Sequence, residues 1–425
     1  MAMIKIPVKG MKDILPDEMA VRDYAIGLIK DTYKSFGFTP IDTPSMEHIE
    51  NLTSKQGGEN ENLIYKVLKR GEKLSMEGVS SPDDLVDMGM RYDLTVSLCR
   101  FYANNQDKLP SPFKALQIGN VWRADQPQKG RFRQFTQCDI DVLGEGSMLT
   151  EVDILTATTA FLRRIGFSGF TLRLNHRQLL KAMFEYAGFP PDKSDRVFII
   201  LDKMDKIGQE GVTRELLAEG LARSSIFIYM GFFKENPGVD PLDNCEKILG
   251  NASAPLSDTV KSAIEDTRLI MKCVGAIRDE TGAEFNIVYD PSLVRGMGYY
   301  TGPIFEISMD EFGGSVAGGG RYDNLVGGFT NLDVPACGFS IGFERIISIL
   351  MDKGFTPPSP GKKIAFLAER GLAPEELNSM FIEAARERAA GATVLVTSKN
   401  KNARFQIERL EKDGYTEFRS FSKQR

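Results

Sequence analysis

Residues 113–144 read FKALQIGNVWRADQPQKGRFRQFTQCDIDVLG, a pattern that predicts a β-hairpin. The first strand runs from Lys114 to Arg123, a loop follows with Pro127 and Gly130 at turn-forming positions, and the second strand runs from Arg133 to Val142. Side chains alternate along a strand, so Phe135, Gln137, Asp139 and Asp141 share one face, and Gln134, Thr136, Cys138 and Ile140 the other. A ring, an amide and two carboxylates on one face, with Arg123, Arg131 and Arg133 nearby, can hold a nucleotide and a small polar molecule together. The same residues can equally make a charged surface hairpin that only meets water, and the hairpin alone leaves both readings open.

Composition removes several classes. A chain of 425 residues is long enough for two or three domains, and 42% hydrophobic with 26% charged residues excludes a fibrous, disordered or membrane-embedded protein. The longest apolar run, Ile226 to Phe233, falls far short of the roughly 18 to 20 residues a spanning helix needs. The N-terminus has no apolar core before a small-residue cleavage site, and Asp13, Asp17 and Glu18 argue against an organelle presequence, so the cytoplasm is the expected location. Cys99, Cys138, Cys245, Cys273 and Cys337 form no CxxC pair, which points to neither a disulfide framework nor a zinc site. With only His48 and His176, a multi-histidine metal site is excluded, and no metal site is expected. His176, in LNHRQLL, reads as a capping or packing residue at a helix start. There is no GxxxxGK[ST] and no GxGxxG, so any nucleotide is held by neither a P-loop nor a Rossmann turn.

Periodicity outlines the organisation. Val21, Tyr24, Ala25, Leu28, Ile29 and Tyr33 lie at helical spacing within Pro16 to Phe36, and a second helix is expected from Glu151 to Ile165, followed by a strand over Thr171 to Asn175. Residues 176–283 are helix-rich and read as an insertion between strands of the main sheet. GFTPPSPG at 354–361 has the proline density of a linker. Beyond it, residues 362–425 predict a β-α-β-α-β order, a small α/β domain. Residues 359–425 carry 13 Lys and Arg against 9 Asp and Glu, while the remainder carries 40 against 49, so any phosphate-backbone binding must be local.

Other segments supply a context for the hairpin. FGFTPIDTPSMEHIENL (Phe36 to Leu52), with Pro44, resembles motif 1 of the class II aminoacyl-tRNA synthetases, and the hairpin resembles motif 2. CGFSIGFERI (Cys337 to Ile346) resembles motif 3. MRYDLTVSLCRF (Met90 to Phe101) resembles an amino-acid-binding strand and helix. LVRGMGYYTGPIFEI (Leu293 to Ile307) and GGGRYDNLVGGF (Gly318 to Phe329) resemble the two motifs particular to the histidyl-tRNA synthetase family. The blocks occur in family order along nearly the whole chain. One departure is Gly298, where RGMGYYTG stands in place of the family's RGLDYYTG.

The resemblance implies an α+β fold: a six- or seven-stranded, mostly antiparallel sheet with flanking helices over residues 1–175 and 284–353, a helical insertion over 176–283, and a short anticodon-binding-like domain over 362–425. It implies ATP-dependent ligation of histidine to tRNA(His) through a histidyl-adenylate, with Mg²⁺ on the outer phosphates of ATP and a homodimer joined through motif 1. By the same resemblance Arg123 and Arg295 are catalytic; Arg123, Asp125, Arg131, Phe135 and Arg345 bind ATP. Asp93, Thr95, Arg123, Gln137, Asp141, Arg295, Tyr299 and Tyr300 bind histidine, with Asp141 and Tyr300 at the imidazole nitrogens. Glycines 313, 314 and 318–320 fit a backbone that approaches the substrate closely. The alternatives are a noncatalytic paralogue, like the regulatory subunit of ATP phosphoribosyltransferase, or a pseudo-synthetase tRNA sensor. Retention of Arg123, Arg295 and Arg345 favours the ligase.

Overall fold

A computed structural model describes residues 3–53, 60–128, 130–234, 237–251, 255–295, 300–330, 332–358 and 361–423. In chain order the strands are β1 Thr39–Ile41, β2 Met46–His48, β3 Lys66–Leu68, β4 Val86–Met90, β5 Phe113–Trp122, β6 Gln134–Leu143, β7 Phe170–His176, β8 Phe285–Tyr289, β9 Pro303–Met309, β10 Gly314–Arg321 and β11 Ala336–Ile341. Three more, β12 Lys363–Ala368, β13 Thr393–Ser398 and β14 Glu417–Phe421, lie in a separate unit.

The chain forms two compact units, 1–355 and 356–425. In the first, eight strands pair in the order β1-β5-β6-β11-β10-β9-β7-β8, and β2, β4 and β3 make a small second sheet. The large sheet exceeds the expected six or seven strands. Its two outermost pairs, β1 with β5 and β7 with β8, are parallel, and every pair between them is antiparallel. β1 has three residues, one of them proline, which is too little alternation to predict a strand.

The hairpin forms as expected, shifted by one residue, with β5 and β6 paired from Phe113↔Leu143 to Trp122↔Gln134. Gly130 takes a φ of 74° in the connecting loop, a conformation that favours glycine. Alternation on β6 sorts its side chains: Cys138, Ile140 and Val142 enter the main apolar core, and the opposite face carries Gln137, Asp139 and Asp141. The core face is covered by helix Pro16–Ser35, through Val21, Ala25, Ile29 and Tyr33, by helix Leu149–Arg164, through Ile154, Leu155, Phe161 and Leu162, and by helix Phe343–Asp352.

β7 continues into β8 by way of the helix-rich segment, whose own core gathers Leu180, Met183, Phe198, Val212, Tyr229 and Leu249. The last of its helices, Asp258–Thr281, belongs to both cores: Ala263 and Ile264 enter the helical one, and Ile270 and Val274 the main one. His176 caps helix Arg177–Tyr186, its Nδ1 accepting the Gln178 N–H at 3.1 Å, and burial pushes its imidazole down to about 4. In the second unit β12 lies between β13 and β14, all parallel, with Ile364, Phe366, Met380, Ala384 and Val394 in a small core.

Candidate active site

Strands β6, β10 and β11 and the loop before β9 form the floor of two adjoining cavities. The larger, of about 260 Å³, is lined by Arg123, Asp125, Arg131, Phe135, Arg295 and Arg345 among others. The smaller, of about 90 Å³, is lined by Asp93, Thr95, Arg123, Gln137, Asp139 and Asp141, with Tyr322 and Ser340 opposite. Arg123, Gln137, Tyr300, Gly318 and Ser340 line both cavities, so they mark the junction. Every site residue expected from the sequence lies in one or both, except Tyr299, which with Gly298 lies outside the described residues.

The larger cavity concentrates positive charge. Arg123 is held by its Nε donating to the Tyr92 carbonyl at 2.8 Å, and its guanidinium stands 5.1 Å from the centre of the Phe135 ring. Arg295 donates to Glu306 and, at 2.5 Å, to the Ser315 hydroxyl, while Arg345 donates to the Ser315 carbonyl. The Arg345 guanidinium is pushed down by burial and then by the like charges of Arg295 and Arg131. Three guanidiniums close enough to repel one another are stabilised by an anion between them, which suits a polyphosphate. Asp125 faces Arg131 at 3.8 Å.

The smaller cavity concentrates carboxylates. Burial raises the carboxyl of Asp93, raises Asp139 well above its ordinary value, and takes Asp141 up to about 7. Each also suffers or exerts repulsion: Asp141 and Asp93 raise Asp139 further, and Asp93 raises Asp141. One oxygen of Asp93 accepts the Val96 N–H at 3.2 Å at the start of helix Thr95–Asn105, and one oxygen of Asp141 accepts the Tyr322 hydroxyl at 2.5 Å. Gln137 donates to the Ser340 hydroxyl at 3.2 Å. Asp139 Oδ1, Asp141 Oδ2 and Gln137 Oε1 are buried and find no donor among the described residues. A buried acceptor left without a donor costs about 1 to 3 kcal/mol, so three of them in one pocket suit a donor-rich, cationic molecule.

Gly318 and Gly319 line the smaller cavity, and the glycines also serve the packing of the protein itself. A Cβ at Gly318 would lie 2.2 Å from Arg295 Cζ, and one at Gly338 would lie 2.0 Å from Asp141 Oδ1. These glycines make room for the protein's own charged side chains. A Cβ at Gly319 would meet the Gly338 carbonyl at 2.0 Å, so Gly319 serves the close approach of β10 and β11. Gly313 has a φ of 69° and belongs to the turn between β9 and β10.

Several contributors were not singled out by the sequence. Tyr322, Ser340, Ser315 and Glu306 meet the site through strand pairing, although all but Ser315 sit inside the quoted motifs. Two arginines near the motifs are structural. Arg133 lines neither cavity; its Nε holds the Asp125 carbonyl at 3.1 Å and its backbone N–H the Gly10 carbonyl at 2.7 Å. Arg321 is buried against Glu151, at 2.7 and 2.9 Å. A further buried pair, Arg22 with Glu344 at 2.7 and 2.8 Å, ties helix Pro16–Ser35 to helix Phe343–Asp352. Glu344 also accepts the Thr136 N–H at 3.1 Å, which fixes β6 beside Arg345.

A family model described as histidyl-tRNA synthetase matches residues 10–346. The histidine–tRNA ligase of Leifsonia xyli subsp. xyli is 40% identical over 423 residues, covering 97% of this chain and 94% of that protein. The probable histidine–tRNA ligase of Tropheryma whipplei (strain Twist) is 38% identical over 419 residues, covering 97% and 95%. Among solved structures, the histidyl-tRNA synthetase from Nostoc sp. PCC 7120 matches with a TM-score of 0.76 at 26% identity, over 97% of this chain and 90% of that one. An ATP phosphoribosyltransferase regulatory subunit/histidyl-tRNA synthetase from Bacillus halodurans C has the same fold, with a TM-score of 0.77 at 17% identity over 99% of both chains. With the motif blocks gathered on one sheet and relatives matched nearly end to end, the chain belongs to the histidyl-tRNA synthetase family.

Proposed function

We propose that the protein ligates histidine to tRNA(His) in two steps, forming histidyl-adenylate from histidine and ATP and passing the histidyl group to the terminal ribose of the tRNA. The observation that carries this reading is the adjacency of the two cavities, one ringed by arginines and the other by unpaired acceptors, joined at Arg123. Adenylation brings the amino-acid carboxylate against the α-phosphate, and both are anionic, so the reaction needs cations at their meeting point. Arg123 takes that place, with Arg295 as the second cation on the α-phosphate. No general base is required, because the attacking carboxylate is already ionised.

Arg345 and Arg131 hold the outer phosphates, and the N-terminal end of helix Phe343–Asp352 adds its partial positive charge. The adenine stacks on the Phe135 face opposite Arg123, with Asp125 near its exocyclic amine. In the smaller cavity, Asp93, Thr95 and Gln137 take the α-ammonium. Asp141 and Tyr300 address the imidazole, and Tyr322 holds Asp141 in place. Such a pocket discriminates against apolar amino acids by leaving its own acceptors unpaired. Mg²⁺ would be held mainly by the outer phosphates of ATP, whose charge it would help to neutralise.

Motif 1 supports a homodimer: among the described residues β1 is an edge strand of the large sheet, paired with β5. A monomeric mass by light scattering at micromolar concentration would count against it. Relatives named as ligases at 38 to 40% identity over nearly the whole chain favour the catalytic reading over a noncatalytic paralogue. The deciding experiment is histidine-dependent exchange of pyrophosphate into ATP, followed by charging of tRNA(His); a protein that binds histidine and exchanges nothing is a paralogue without activity.

A further inference from the structure

Arg295 is held from behind by a chain of charges that leaves the site. Glu306, on β9, is 9% exposed and sits between two arginines: one oxygen accepts from Arg295, the other from Arg173 Nη1 at 3.2 Å. Glu306 and Arg173 are direct cross-strand neighbours on β9 and β7, so the strand pairing itself sets them opposite one another. Arg173 is in turn gripped by Asp290 through Nε at 2.6 Å and by Asp205 through two bonds of 2.7 and 3.1 Å. Asp205 belongs to helix Met204–Ala218 of the helical insertion, and its side chain is 64% exposed. Arg173 Nη1 carries two hydrogens and donates to both Asp205 and Glu306, so it bridges the two carboxylates.

We propose that Glu306 is the positioning residue for Arg295, and that Arg173 and Asp205 tie that position to the helical insertion. Removing the Asp205 carboxylate takes away two of the bonds that orient the Arg173 guanidinium, so its bond to Glu306 slackens and the carboxylate that faces Arg295 is held less firmly. Whatever engages Asp205 from solvent therefore reaches the adenylation step. A cavity of about 770 Å³ lined by Arg173, Asp205, Gln209, Lys234 and Asp290 gives access to it.

The inference rests on Arg295 acting in adenylation, and pyrophosphate exchange with single-turnover adenylate formation on the full-length protein separates the two. Glu306→Gln keeps the shape and removes the charge; it is expected to lower kcat on the order of 10- to 100-fold with both KM values within about twofold, and Glu306→Asp to recover part of the loss. In an Arg295→Ala chain, Glu306→Gln is expected to cost almost nothing further. Asp205→Asn, at an exposed position that leaves folding intact, is expected to slow exchange by about 3- to 30-fold at unchanged melting temperature. Additive losses for Arg295→Ala and Glu306→Gln would overturn the positioning role, and wild-type exchange by Asp205→Asn would overturn the link to the insertion. If Glu306→Gln fails to fold, Glu306→Asp, alone and in the Arg295→Ala chain, decides the positioning role by the same additivity criterion. If Arg295→Ala itself exchanges normally, the assignment of Arg295 has failed instead.

Discussion

Replacing Gly318 by alanine adds one methyl group and displaces the Arg295 guanidinium. The new Cβ would lie 2.2 Å from Arg295 Cζ and 2.4 and 2.5 Å from its terminal nitrogens, whereas ordinary contact begins at 3.4 Å. Either β10 shifts or the guanidinium retreats by about the difference between 2.2 and 3.4 Å. The strand is pinned on both sides, since Gly318 pairs with Ser340 on β11 and Glu306 on β9. The guanidinium is the end of a flexible side chain, so it is the part that yields, leaving Glu306 and Ser315 behind. Misplacing a reacting or charge-stabilising group by roughly 1 Å costs on the order of 100-fold, about 2.7 kcal/mol of barrier. Pyrophosphate exchange by Gly318→Ala is therefore expected to fall by about two orders of magnitude while the melting temperature barely moves. Gly314→Ala serves as the control: nothing lies within 4 Å of its added Cβ, and the expected result is normal exchange with about 0.4 to 1 kcal/mol of added stability. Wild-type exchange by Gly318→Ala would refute the reasoning, because it would mean that Arg295 works equally well from a displaced position.

Three further outcomes follow from the same geometry. Asp141→Asn is expected to weaken histidine binding by about 1.5 to 3 kcal/mol, measured by calorimetry, and to leave ATP affinity unchanged; the reverse pattern would reassign this face of β6 to the nucleotide. Burial takes the Asp141 carboxyl from 3.8 to about 7 in the folded chain, so its protonated form is favoured by folding, and this stabilisation is complete below about pH 4 and lost as pH rises through 7. Asp93 and Asp139 shift the same way, so thermal melts of the ligand-free protein should fall from pH 5 to pH 8, less steeply in Asp141→Asn; equal slopes would remove Asp141 from the account. A chain ended at Phe355, which packs on Tyr24 at 5.6 Å between ring centres, is expected to keep pyrophosphate exchange and lose most tRNA charging, and retained charging would show that the second unit is dispensable for tRNA.

The hairpin was readable because its signals are local. Period-two alternation over Phe135, Gln137, Asp139 and Asp141 sorts pocket from core without any other part of the chain. His176 was readable as a cap for the same reason, since its partner is two residues away. What was not readable depends on pairing between distant segments. Tyr322 reaches Asp141 across 181 residues, and nothing near either position announces the other. Arg133 and Arg321 belong to arginine-bearing motifs yet turn to backbone carbonyls and to Glu151, a choice made by which neighbours the fold brings alongside. A missing side chain gives no indication of which atom fills its space; Gly318, which lines both cavities, also leaves room for Arg295.

The pairing of β6 with β11 has a consequence for how the protein is made. Gln137 and Ser340 meet across 203 residues of chain, so β6 leaves the ribosome long before its neighbour exists. At ordinary elongation rates that interval lasts about 10 to 40 s, during which one edge of β6 has no strand beside it. Nascent chains that stop anywhere in the helical insertion therefore display β6 with one edge open. That edge is paired only when β11 has been synthesised, so until then it is open to pairing with other chains.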